Sequence, residues 1–315
     1  MPRTRIVCVS DTHNCAASIK LPPGDVLVHA GDLTNQGSRS EKRIICSTSP
    51  LLPWPQLSRA VSWLEAADFE AKIVIAGNHD ITLDSAFYAE HGHVFHNQRP
   101  ESPTVCRELF TSSPSLTYLA HESATIRLPS RGVEFSVFGS PYSPRRGGLW
   151  AFGYDEDSSP WDAIPSGTDI VVTHTPPRTH CDMEDGGGQP AGCEALRRAL
   201  YRVRPRLAVC GHIHDGRGVE HVSWEGEKEG DEASSSSSFT RRTWNDPGAG
   251  NKKLSLVHLD GMGETCIVNA AMMKSRRPHV GGKQFHKPIV VDVDLPPWRR
   301  EGGVSDDEPR HEAAR

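Results

Sequence analysis

The chain has 315 residues, of which 36% are apolar and 24% charged. That length suits one large domain or two small ones, and the low apolar share leaves part of the chain with no core to join. The formal net charge of −5 argues against a general nucleic-acid-binding surface, and no apolar run approaches the about eighteen residues that a membrane span needs.

The N-terminus, MPRTRIVCVSD, has a short apolar run that leads straight into charge. It makes a poor signal peptide and a good first strand at Ile6–Val9, so a cytoplasmic location is expected, with the nucleus also open. Val26–Ala30 is a second predicted strand. Ser38–Pro53 mixes charge, serine and proline and reads as a long loop. Pro55–Asp68 is a predicted helix with Leu57, Ala60, Val61 and Leu64 on one face and Pro55 in its first turn. Strands follow at Ile73–Ala76, Phe135–Phe138 and Ile170–Thr173. A helix is expected over Gly192–Arg204, with Glu194 early, arginines late and Pro205 stopping it. Leu207–Cys210 is the next strand. Trp224–Lys253 contains EGEKEGDEASSSSS and NDPGAGNKK. It has too little apolar surface to offset its ordering entropy and is expected to be a disordered insertion. Cys266–Ala271 and Pro288–Leu295 return as strands, and 298–315 reads as a disordered tail. The strands are β-branched and nearly continuous, as in sheets covered on both faces. Their alternation with helices indicates an α/β fold in one domain over residues 1–297. None of the eight cysteines forms a C-x-x-C pair, and several sit in apolar runs. They are expected to be buried free thiols, with no nucleophile among them.

The strand ends carry the chemistry. Ile6–Val9 runs into Asp11-Thr12-His13, and Val26–Ala30 into Gly31-Asp32. Ile73–Ala76 runs into Gly77-Asn78-His79-Asp80, Ile170–Thr173 into His174, and Leu207–Cys210 into Gly211-His212-Ile213-His214. In α/β sheets, ligands bind in the crevice beyond the carboxyl ends of the strands. Mixed carboxylate, amide and imidazole donors suit transition metals better than calcium. The set is too large for one ion and sufficient for two, with Asp32 as the natural bridge. Two ions about 3.5–4 Å apart clamp a phosphate and acidify a shared water.

The order D-x-H, G-D, G-N-H-D, H, G-H-x-H resembles the calcineurin-like metallophosphoesterase superfamily. The phrases CVSDTHN, LVHAGDLTNQG, KIVIAGNHDITLD, FGSPYSP, DIVVTHTPP and RPRLAVCGHIHDGRG look like its metallophosphoesterase-domain-containing family. The resemblance runs from about Thr4 to Val222 and resumes at CIVNAA and KPIVVDVDLP. It implies a four-layer α/β/β/α sandwich of two mixed sheets flanked by helices. It also implies a dinuclear site: Asp11, His13, Asp32 and His214 around one ion, and Asp32, Asn78, His174 and His212 around the other. The ions would be divalent transition metals, Mn²⁺ first, with Fe, Zn²⁺ or Co²⁺ compatible. His79 would lie beside the scissile phosphate and protonate the leaving oxygen. Asp80 would either orient His79 or cap the following turn. Thr175 stands where the family often has glycine, and Asp215 where close relatives often have glutamate.

The expected function is therefore metal-dependent hydrolysis of a phosphodiester, a cyclic nucleotide or a phosphomonoester by a metal-activated hydroxide. The alternative is a scaffold or regulatory protein of this fold with little activity, against which the complete ligand set counts. A small phosphoester is the expected partner, with no membrane, and nucleic acid disfavoured by the charge. Weaker candidates have competing readings. His180 and Asp182 could line the cleft or belong to a polar loop. His91, His93 and His96 could bind adventitious metal but fit exposed loop histidines better. Asn14 and Asn35 could meet a phosphate or form local turn bonds. Arg145 and Arg146 read as a solvated pair more readily than as anion contacts.

Overall fold

The computed structural model describes residues 1–38, 56–183, 190–224, 240–244, 255–258, 264–274 and 284–298. Most of the loop expected over Ser38–Pro53, Cys46 and all but the first residue of the 298–315 tail lie outside these.

In chain order the first half contains β1 (Arg3–Val9), β2 (Val26–Ala30), α1 (Gln56–Ala66), β3 (Ala71–Ile75), α2 (Ser85–Phe95), α3 (Pro103–Thr111), β4 (Thr117–Tyr118), β5 (Glu122–Leu128) and β6 (Val133–Ser140). The second half adds β7 (Ser143–Pro144), β8 (Gly153–Tyr154), β9 (Ile170–Thr173), α4 (Glu194–Val203), β10 (Leu207–Cys210), β11 (Gly218–Ser223), β12 (Thr240–Trp244), β13 (Ser255–His258), β14 (Glu264–Asn269) and β15 (Ile289–Asp294). They form a six-stranded sheet ordered β13-β15-β1-β2-β3-β4 and a seven-stranded sheet ordered β12-β11-β14-β10-β9-β6-β5. Both are mixed. β1, β2 and β3 run parallel, as do β6, β9, β10 and β14, while β15, β5 and β11 pair antiparallel to their neighbours β1, β6 and β14.

The side-chain alternation of a strand explains the layers. Ile6 and Cys8 of β1 point into a core shared with Val28, Ile73, Val137, Val172, Val209 and Val268, which fills the space between the sheets. Val7 and Val9, the intervening residues, pack with Leu57, Val61 and Leu64 of α1 and Phe110 of α3 on the opposite face. On the other sheet, Val171, Ala208 and Ile267 meet Leu196, Ala199, Leu200 and Val203 of α4. The result is a four-layer α/β/β/α sandwich in which β1, β2, β9 and β10 are covered on both sides. That double cover is why they read as unbroken apolar runs.

α4 begins where the Cys193 sulfur accepts from the Leu196 N–H at 3.2 Å and ends at Arg204, which turns left-handed (φ 51°) before Pro205. Glu194 in its first turn pairs with Arg197 at 2.7 Å and Arg198 at 3.2 Å. α2 and α3 form where the sequence offers caps but no wide apolar stripe. Asp84 accepts from Phe87 N–H at 3.0 Å, and Ser102 precedes Pro103 at the first turn. The expectation of loop histidines is corrected here: His91 and His93 lie on α2. His96 caps the helix, buried, with its Nδ1 2.9 Å from the Tyr88 hydroxyl.

The insertion expected over 224–253 also needs correction at two places. Trp224 is buried, and its indole N–H donates to Thr265 Oγ1 at 2.6 Å. Thr240–Trp244 pairs antiparallel with β11 as β12. The rest of that segment lies outside the described residues. All seven described cysteines are free and buried. Burial pushes the Cys8 thiol up to about 12, and raises Cys181, Cys210 and Cys266 as well. No helix among the described residues is long and apolar enough to cross a membrane.

Candidate metal centre

The parallel strands β1, β2 and β3 of one sheet and β9 and β10 of the other end at the same edge of the sandwich. Close approach there depends on glycine. A Cβ on Gly31 (φ 94°) would stand 2.6 Å from His174 Nδ1. A Cβ on Gly77 would collide with Asp32 Oδ1, and one on Gly211 with the Asp11 carboxylate and Ser10 Oγ. Asp11 (φ 56°), His13 (φ 40°), Asp32 (φ 54°) and His212 (φ 67°) all adopt left-handed backbone conformations. These cost energy in non-glycine residues and gather at functional sites.

The structure brings the seven candidate ligands together. Donor atoms of Asp11, His13 and His214 lie within 4.8 Å of one another, as do those of Asp11, Asp32 and His174. His214 Nε2 is 3.2 Å from Asp11 Oδ1, and His13 Nε2 is 3.7 Å from Asp32 Oδ2. His174 Nε2 is 3.4 Å from Asp32 Oδ1 and 3.0 Å from Asn78 Oδ1, and His212 Nδ1 is 2.8 Å from the same amide oxygen. Ligands at about 2.1 Å from one ion lie about 3.0–3.4 Å from each other, and three of these spacings fall in that range, with 2.8 Å just below it and 3.7 Å just above.

Tautomers add a second test of fit. His174 Nδ1 donates to the Ala30 carbonyl at 2.9 Å, and His13 Nδ1 to the Thr34 carbonyl at 3.2 Å. Each ring then turns its Nε2 toward carboxylate oxygen, where a cation would be held. Without a metal ion, the carboxylates hold a proton on His174. Burial works to lower the His174 imidazole, but Asp32 and Asp11 outweigh it and hold it at about 9. Burial pushes His13 down to about 4 and, with His174 beside it, His212 down to about 3. Burial would raise Asp11 and Asp32, yet the surrounding imidazoles, His214 for Asp11 and His174 for Asp32, hold both carboxyls below the usual range. The donor set fits divalent transition metals.

His79 lies at the rim, its side chain 29% exposed and Nε2 4.0 Å from Asp32 Oδ2. Its own N–H donates to Asp32 Oδ1 at 2.8 Å, and its Nδ1 donates to the Asn35 carbonyl at 2.8 Å. Asn35 therefore orients the ring through its backbone. Asp80 does not orient it. Its oxygens accept instead from Leu33 N (3.1 Å), Thr34 N (2.9 Å), Thr34 Oγ1 (2.7 Å) and Gly77 N (2.9 Å). The expectation that Asp80 acts in catalysis is corrected on this geometry. Asp80 ties the G-D loop to the G-N-H-D turn. Burial, with Asp32 nearby, raises its carboxyl to about 6.

Other candidates are placed in the framework. His180 and Asp182 are fully buried rather than lining a cleft. His180 Nδ1 is 2.8 Å from Glu220, and Asp182 accepts from Thr179 N and Gly192 N. Asn14 N–H donates to the Leu33 carbonyl. Arg145 pairs with Asp155, and Arg146 donates to the Gly192 carbonyl. Thr175 is buried. One residue that motif reasoning misses is Asn269, at the end of β14 and fully buried. Its amide donates to Cys181 O at 2.9 Å and to Ile213 O at 2.8 Å, and its oxygen accepts from Ala271 N. It fixes the backbone between His212 and His214. Its only sequence signal is a polar residue closing an apolar strand.

Known proteins match this chain in sequence over the same motifs. A family model described as calcineurin-like phosphoesterase matches residues 4–216. Metallophosphoesterase domain-containing protein 1 of Homo sapiens is 37% identical over 227 residues, covering 69% of this chain and 62% of that protein. A protein of Emericella nidulans named probable rhamnogalacturonate lyase C is 40% identical over 224 residues, 70% of this chain but 18% of that protein. The chain thus spans less than two thirds of the length of either relative. Among solved structures, TT1561 of Thermus thermophilus aligns with 69% of this chain and 84% of its own at 13% identity and a TM-score of 0.40. With the family match spanning every motif that meets at the crevice, the chain belongs to the calcineurin-like phosphoesterase family.

Proposed function

We propose that the protein hydrolyses small phosphoesters, diesters or monoesters, at a crevice holding two divalent transition-metal ions. Asp11, His13, Asp32 and His214 would hold one ion, and Asp32, Asn78, His174 and His212 the other. The observation that carries this reading is the convergence of seven buried or half-buried donors from five strand ends, with two Nε2 atoms turned toward carboxylates. Bound ions supply Lewis acidity there, neutralising phosphoryl oxygens and acidifying water.

The chain's own groups do the rest. Water displaces the leaving oxygen in line at phosphorus: a P–O bond forms, the ester P–O bond breaks, and the water's proton passes to solvent, which in turn restores the proton that His79 gives up. His79 in its protonated form presents Nε2–H at the rim and delivers that proton to the departing oxygen. Its Nδ1 bond to Asn35 keeps the ring pointed there. Asp80 fixes the turn that carries His79 against the Asp32 loop. The thiols of Cys8, Cys181, Cys210 and Cys266 take no part, because burial holds them protonated.

The test is a panel of nitrophenyl mono- and diesters and of 2′,3′- and 3′,5′-cyclic nucleotides, assayed with Mn²⁺, Fe²⁺, Co²⁺ and Zn²⁺. Turnover that requires a divalent ion and disappears in Asp32→Asn supports the reading. Metal-loaded protein inert toward the whole panel overturns it.

A further inference from the structure

We propose that Trp150 forms a stacking subsite, beside His79, for a flat aromatic ring carried on the leaving oxygen of the phosphoester. This rests on the phosphoester reading above. The indole centroid lies 4.1 Å from that of the His79 imidazole, at an interplanar angle of 43°, and 6.1 Å from Phe95. Trp150 and Leu149 are each 38% exposed, and the indole N–H has no hydrogen-bond partner among the described residues.

This exposure does not come from a loosely tethered loop. The chain leaves β7 and returns through β8, closed at its base by Ser143 N–H to Phe152 O (3.0 Å) and Arg145 N–H to Tyr154 O (2.9 Å). The two residues after Trp150 are tied down, one to the site and one to the cap of α2. Ala151 N–H donates to the carbonyl of Asn78, a candidate ligand, at 3.3 Å, and Phe152 N–H donates to Asp84 Oδ2 at 2.8 Å. Ala151 and Phe152 are buried while Trp150 stays at the surface. With Leu149 exposed beside it, the half-exposed indole presents an apolar surface next to His79 on an anchored backbone.

The location decides which part of a substrate it meets. A proton leaving His79 Nε2 must reach the departing oxygen, so the substituent on that oxygen emerges next to His79. The half-exposed ring packed against His79 is Trp150. Aromatic rings prefer offset or tilted stacking over an indole, whereas an alkyl group of equal bulk gains only burial. The subsite therefore selects aryl or nucleobase-bearing leaving groups over saturated ones.

The experiment is calorimetric titration of the Mn²⁺-loaded full chain with phenylphosphonate and with cyclohexylphosphonate, at a pH where both are dianions; the two have similar bulk and are not hydrolysed. Phenylphosphonate is expected to bind about fivefold more tightly, roughly 1 kcal/mol. Trp150→Phe should keep most of that preference, and Trp150→Leu should reduce the ratio to about one. Equal affinity in the wild-type chain, binding of neither phosphonate, or an unchanged ratio in Trp150→Leu overturns the subsite. A phenyl preference in a protein that cleaves no phosphoester overturns the hydrolase reading and leaves the subsite standing. Adenosine 5′-monophosphate, compared with ribose 5-phosphate in a second arm, tells whether a nucleobase uses the same ring.

Discussion

Asp32 and His79 carry the proposed chemistry, and they separate cleanly in experiment. Asp32 faces His13, His174 and the backbone of His79 at once, so Asp32→Asn removes the charge common to both halves of the site. It is expected to lower metal content at both positions and turnover by more than about 10²-fold, read by elemental analysis beside an activity assay. His79 touches the site only at its rim. His79→Asn should retain the metal complement and slow turnover by about 10²–10⁴-fold, most severely for esters with poor leaving groups. Loss of metal from that variant would remove His79 from the role of proton donor. The donors are legible in the sequence because each directly follows a buried strand, and buried strands are the easiest elements to read. Asp80 is harder to interpret. A carboxylate next to a histidine suggests a pair, yet four donors from the loops it bridges occupy both its oxygens.

At the scale of elements, the strands fix where each ligand sits and the last strand of the chemistry-bearing sheet fixes how. β14 lies beside β10, and Asn269 at its end holds the Ile213 carbonyl between the two histidines of G-H-x-H. Asn269→Leu leaves two buried carbonyls without that donor. It is expected to cost about 2–4 kcal/mol of stability and to weaken metal binding by about 10–100-fold. Asn269→Gln tests whether an amide alone suffices; a metal affinity unchanged in the leucine variant would show the loop to be held by other contacts. β14 is readable as a strand, but nothing in CIVNAA announces the hydrogen bonds its asparagine makes 56 and 88 residues away in sequence. α2 and α3 escape periodicity for a different reason. α2 buries only Tyr88 and Gly92, and α3 only Cys106 and Phe110, so their sequence signals are the Asp84 and Ser102 caps. β12 is obscured by acidic, serine-rich surroundings that carry no strand pattern.

Across the whole molecule, the site is where the two sheets are joined at their open edge, so its charge state is coupled to the stability of the sandwich. In chain stripped of metal, the folded form holds a proton on His174 up to about 9, against an ordinary value of 6.5. That contribution is complete below about 6.5 and is lost as the pH rises toward 9. His13 and His212 are depressed to about 4 and 3. Their contribution is complete above 6.5 and is lost as the pH falls through those values. Thermal unfolding of metal-free protein should therefore be most resistant near pH 6.5, and Mn²⁺ should raise the melting temperature most on the alkaline side, where it replaces the departing His174 proton. A melting temperature flat from pH 6 to 9 without metal would contradict this coupling.

The central claim is that one crevice holds a pair of neighbouring ions sharing Asp32. Electron paramagnetic resonance of the protein loaded with a measured number of Mn²⁺ ions tests it most directly. Two ions per chain with an exchange-coupled spectrum are the expected result. A single ion with an isolated six-line signal, unchanged in Asp32→Asn, would contradict it.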